Sequence, residues 1–92
     1  MNKCVRIVCT LSRPKPNLPS EIQSYARKHS VEGFVQAGTE EVQITACGSK
    51  ENVDLFVDMI HKICVQDPEK DIIEVEPFFK DKEYRGIFRI IE

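Results

Sequence analysis

The chain has no tryptophan, only four glycines and no extended apolar run. Nothing in it approaches the ~20 consecutive apolar residues that carry a helix across a bilayer. Positive charge is not in excess either. Thirteen Lys and Arg stand against fifteen Asp and Glu, for a formal net charge of −2 and a pI near 5.7. That balance argues against a binder of nucleic acid or of anionic membrane. The five Phe and two Tyr sit among apolar residues rather than interleaved with basic ones. Repeats, low-complexity tracts and linkers are missing as well. Met1 to Arg6 holds one short apolar stretch and no cleavage-site pattern, so no secretory signal is expected. What remains is an ordinary globular composition, 41% hydrophobic and 30% charged over 92 residues. It suffices for one domain over residues 1–92, with a small margin of stability.

Four cysteines, Cys4, Cys9, Cys47 and Cys64, contain no CxxC and no zinc-ligand spacing. Cys4 and Cys9 are an odd number of positions apart, so on one strand they point to opposite faces and share neither a metal nor a disulfide. The expectation is of reduced, mostly buried thiols packing as small hydrophobes in a cytoplasmic protein. No metal site and no cofactor is expected.

Hydrophobic periodicity switches between two and about 3.6 along the chain. Cys4 to Leu11 alternates as a strand. Pro14, Pro16 and Pro19 then stiffen an extended loop. A helix is expected over about Pro19 to Ser30, with Ile22, Ala26 and His29 on one face. Val31–Ala37 and Val42–Cys47 form a hairpin around Gly38-Thr39-Glu40. Ser49 caps a second helix whose stripe is Val53, Phe56, Val57, Ile60 and Cys64. Asp67-Pro68 stops it. Ile72–Val75 and Ile87–Ile91 are the last two strands, joined by a charged connection from Phe78 to Gly86. The order β-α-β-β-α-β plus a short last strand predicts an α/β class fold. It is a ferredoxin-like α/β sandwich, an antiparallel sheet with two helices on one face.

Several segments resemble the acylphosphatase family. Gly33-Phe34-Val35 is similar to the family's Gly-Trp/Phe-Val, and Val42-Gln43-Ile44-Thr45-Ala46-Cys47-Gly48 to its central strand. The helix from Ser49 with Phe56 in its middle fits the second helix. Tyr84-Arg85-Gly86-Ile87-Phe88-Arg89-Ile90 resembles the closing Phe-x-Ile strand. The resemblance covers nearly the whole chain, mainly at core and turn positions. It implies hydrolysis of the carboxyl-phosphate bond of acyl phosphates without metal or cofactor. A glycine-containing loop cradles the phosphate in backbone N–H groups, an arginine neutralises it and an asparagine positions the water. Carried across position by position, all three depart. The cradle falls on Leu11-Ser12-Arg13-Pro14-Lys15-Pro16-Asn17, without glycine and with two prolines that lack the N–H donor. The arginine falls on Pro19 and the asparagine on Ala37. One preorganised donor is worth about 2.7–4 kcal/mol, so their combined loss predicts a large drop in rate.

Arg13 and Lys15 are the anion-binding candidates, with Arg6 on the preceding strand and Gln36 as a stand-in for the asparagine. One reading has them hold a small anion or acyl phosphate by point charge. The other is a solvated basic loop stiffened by proline. His29 is expected to be structural and His61 exposed, with no nucleophile or carboxylate partner at a recognisable spacing. Glu40-Glu41 and the acids from Asp67 to Glu76 read as a turn and a solvated connection. Pro77-Phe78-Phe79 beside Lys80-Asp81-Lys82 is either core or a partner patch. The expected function is a non-catalytic binding or interaction module, the alternative an acylphosphatase with a rearranged site. The chain is a monomer, or a homodimer through an open sheet face or edge.

Overall fold

A computed structural model describes residues 2–12, 15–38, 40–77 and 87–91. Strand β1 (Asn2–Thr10) follows from the alternation in its sequence: Val5, Ile7 and Cys9 are buried on one face while Arg6 and Thr10 on the other are exposed. Helix α1 (Leu18–Lys28) takes Pro19 in its first turn, where the missing N–H has no intrahelical partner to lose. It buries Leu18, Ile22 and Ala26. It ends earlier than the pattern suggests because Ser30 leaves the helical region at φ 55°. Strands β2 (Glu32–Ala37) and β3 (Glu41–Ser49) form the expected hairpin. Ser49 then caps α2 (Lys50–Cys64), its Oγ accepting from the Asn52 amide at 3.2 Å. That helix buries Val53, Phe56, Ile60 and Cys64, four members of the stripe read from the sequence. Strands β4 (Ile72–Pro77) and β5 (Phe88–Ile91) complete the fold.

The sheet runs β4-β1-β3-β2-β5. Helix α1 packs against β2 and β5, and α2 against β1 and β3, so both lie on one face of a ferredoxin-like sandwich. Phe56 of α2 meets Phe88 of β5 edge to face, with ring centroids 5.9 Å apart, at the centre of that layer. The antiparallel expectation holds for β1–β3, β1–β4 and β2–β3, but β5 lies parallel to β2 and the sheet is mixed. Strand direction explains the correction. Through β1 and β3, β4 runs against β2. The last strand, which reverses β4 and joins the far edge, therefore runs with β2. Gly33 makes the β2–β3 contact possible: its φ is +139° and a Cβ there would overlap the Thr45 carbonyl oxygen. The aromatic pair Phe78-Phe79 and the lysines beside it lie outside the described residues.

The cysteines divide in a way that single-strand geometry did not anticipate. Cys4 and Cys9 do face opposite sides of β1, but register sets Cys4 directly opposite Cys47 of β3, and the two form a disulfide. Their Cα atoms are 4.1 Å apart. The expectation of four reduced thiols therefore fails for this pair, because cross-strand register brings together residues 43 positions apart in sequence. Cys9 and Cys64 remain as buried thiols between β1 and α2. The Cys64 thiol hydrogen-bonded to Cys9, and then burial, push the Cys9 thiol well above the ordinary range, which makes it inert. Alkylation of the denatured, unreduced chain should modify two thiols, Cys9 and Cys64, as read by peptide mass. Reduction of Cys4–Cys47 should lower unfolding stability by about 2–4 kcal/mol in urea, the scale set by the chain segment it closes.

Candidate functional site

Register places the family-equivalent positions at one end of the molecule. Ala37 at the end of β2 pairs with Val42 of β3, which pairs with Cys9 near the end of β1. The loop that follows β1 leads directly into the first turn of α1, where Pro19 lies half-buried. So the end of the sheet, the described ends of the loop and the start of α1 lie at one end of the molecule. Leu11 and Leu18 are buried, and Ala37 carries no polar side chain.

Three backbone donors around the loop are committed within the chain. The Leu11 amide donates to the Glu40 carbonyl at 2.8 Å, and the Leu18 amide to the Lys15 carbonyl at 3.1 Å. The Ser12 amide and Ser12 Oγ both donate to Oδ1 of Asp71, at 2.9 and 2.8 Å. Oδ2 of the same carboxylate accepts from the Gln66 and Asp67 amides at 3.1 and 3.0 Å. Asp71 is only 7% exposed. These donors, led by the Ser12 amide and then the Asp67 amide, hold its carboxyl far below the usual carboxylate range. An internal anion thus gathers the kind of amide cluster that a bound phosphate would otherwise gather.

Lys15 is engaged in the same way. Its Nζ donates to the Cys64 carbonyl at 2.9 Å and the Ile63 carbonyl at 3.4 Å, at the C-terminal end of α2. A cation there satisfies carbonyls that have no intrahelical donor and complements the helix dipole. A cleft of about 520 Å³ opens beside it, lined by Ser12, Lys15, Asp67, Lys70 and Asp71 among others. Among the described residues, two lysines face two carboxylates in that cleft, so these residues give it no cationic excess with which to attract phosphate.

Of the other candidates, Gln36 is exposed on β2 with Gln43 and Ile91 beside it, on the opposite sheet face from buried Val35. Arg6 lies on that same second face and pairs with Glu76 at 3.7 Å. His29 stands half-buried at the end of α1 and His61 is exposed on α2. Arg13 lies outside the described residues. The structure brings Lys15 to the site end and leaves Gln36 on the second face. Asp71 is the residue that the sequence reading passed over, placing it in a solvated acidic connection. A local signal existed: an aspartate four residues after Asp67 and just before an apolar strand can close a turn on the preceding amides. Its link to Ser12 is long-range and leaves no such trace.

Because Asp71 titrates lower folded than unfolded, its contribution to stability is complete above the ordinary value of 3.8 and is lost as the pH falls from there toward the depressed folded value. Asp71→Asn should therefore be less stable than the parent at pH 7. Its stability should also fall less steeply between about pH 4 and pH 2. Urea midpoints measured across that range check both outcomes.

Comparison with known proteins supplies the frame. No family model and no curated protein matches this sequence. Solved structures do. An acylphosphatase from Coxiella burnetii superimposes with a TM-score of 0.81 at 14% identity, over 98% of this chain and 93% of that one. An acylphosphatase from Bacillus subtilis gives 0.70 at 18% identity over the whole of both chains. Full-length HypF in its phosphate- and nucleotide-bound form gives 0.81 at 19% identity, over all of this chain and 12% of HypF. Identities this low establish architecture alone. The chain has the acylphosphatase-like fold.

Proposed function

We propose that the chain is a non-catalytic acylphosphatase-like module, a single binding or interaction domain that keeps the scaffold without the phosphate chemistry. The observation that carries this reading is the commitment of the Ser12 amide and hydroxyl to Asp71. A carboxylate at that place repels an incoming phosphate and withholds the donors that would receive it. Pro14 and Pro16 supply no N–H, and Pro19 and Ala37 supply neither the cation nor the amide that acyl-phosphate hydrolysis uses in the family it resembles.

The rearranged-site alternative needs Lys15 free to meet the anion and Gln36 near the attacking water. Lys15 is bonded to the α2 carbonyls, and Gln36 lies on the second sheet face, so neither supports it.

Hydrolysis of benzoyl phosphate by the purified chain tests the proposal. The expected rate is that of the uncatalysed reaction. Turnover above it that is abolished by Lys15→Ala would overturn the proposal. The double variant Pro19→Arg, Ala37→Asn is expected to remain inactive while Asp71 holds the Ser12 amide, since one preorganised donor alone is worth roughly 10²–10³ in rate.

A further inference from the structure

Among the described residues, strand β4 is an edge of the sheet, and all of its residues except Ile73 are exposed. Its outward backbone groups follow from register. The 4.1 Å spacing of Cys4 and Cys47 is that of a pair exchanging no ladder bonds, so the N–H and C=O of Cys4, Arg6, Val8 and Thr10 turn away from β3 and toward β4. Arg6, Val8 and Thr10 oppose Glu76, Glu74 and Ile72, which are thereby bonded to β1. The groups facing outward are the N–H and C=O of Ile73 and Val75, followed by Pro77, which has no N–H to offer. Among the described residues this is a short, open ladder ending at a proline.

The side chains beside that ladder select a partner. Glu74 and Glu76 project on one face and Ile73 and Val75 on the other, with Ile72 and Val75 55% and 40% exposed. The Glu74 side chain has no ion pair or hydrogen bond among the described residues. Glu76 reaches Arg6 at 3.7 Å and still leaves 68% of its side chain exposed. Edge strands are commonly blunted by lysine or a bulge. The described part of this one is acidic and apolar. A second copy fits it badly: the two antiparallel registers that use most of the strand set Glu74 against Glu74 or against Glu76, and like charges directly opposite destabilise a pair.

We propose that β4 is a docking edge for an extended segment of a partner protein in which apolar residues alternate with lysine or arginine, added to the sheet as a sixth strand. Main-chain bonds to Ile73 and Val75 supply the pairing, and Glu74 and Glu76 supply the selection for basic side chains. The inference rests on reading the chain as an interaction module and names the class of partner for it.

The test is a titration of the isotope-labelled chain with two eight-residue peptides, one alternating valine and lysine and one alternating valine and glutamate, followed by amide exchange. The lysine peptide should slow exchange of the Ile73 and Val75 amides at least tenfold, and the glutamate peptide should not. Glu74→Lys, at an exposed side chain with no partner among the described residues, should weaken the lysine peptide at least tenfold and fold normally. Equal protection by both peptides, protection confined to other strands, or no protection overturns the proposal. So does protection without peptide that rises with protein concentration alongside a dimer in sedimentation, since a second copy is then the occupant. Benzoyl phosphate turnover with peptide docking intact would defeat the non-catalytic reading and spare this edge. Absence of both turnover and docking would do the reverse.

Discussion

The carboxylate of Asp71 is the constraint on which the site end of this molecule depends. It binds the loop after β1 through Ser12 and the turn after α2 through Gln66 and Asp67, and it stands one residue before β4. A carboxylate so placed is tolerable in a buried position only because four donors satisfy it. Lys15 adds a second tie from the same loop to the end of α2. The loop is thereby fixed to the α2–β4 connection. In an anion cradle the same backbone would present its amides to a ligand. Here sequence, local hydrogen bonding and function meet in one group: the anion at this loop is part of the chain.

Beneath the loop, one apolar layer holds the scaffold. Val5, Ile7 and Cys9 of β1, Val42, Ile44 and Ala46 of β3, and the stripes of both helices bury against one another, with Phe56 and Phe88 in edge contact. Gly33 permits the close approach of β2 and β3 that sets their register, and that register carries Ala37 to the site end. The likeness to acylphosphatases belongs to this layer. Core positions specify the architecture. Chemistry on such a scaffold depends on a few polar groups, and the likeness in fold does not carry them.

How much was legible follows from the range of each interaction. Periodicity placed the helices and strands because it is local. Ser49 as a cap, Phe56 in the second stripe and the bounds of β2 and β3 were all readable to within a residue or two. That Pro19 and Ala37 carry no polar side chain was readable because it is a matter of residue identity. Three features were hidden for one reason, long-range pairing. Cys47 meets Cys4 only through the β1–β3 register, Ser12 meets Asp71 across 59 positions, and β5 joins β2 in parallel after crossing from the opposite edge. Lys15 reads as a loop cation in sequence and becomes a helix cap only when α2 ends beside it.

The central claim is that the loop after β1 does not receive a phosphate because the Asp71 carboxylate already occupies the Ser12 amide and hydroxyl. Titration of the isotope-labelled chain with inorganic phosphate at pH 7 tests this most directly. The account predicts no saturable amide shift at Leu11, Ser12, Lys15, Asn17 or Leu18, and the appearance of such shifts in Asp71→Asn. Saturable shifts at those amides in the parent chain, with the Ser12 amide freed from Asp71, would contradict it.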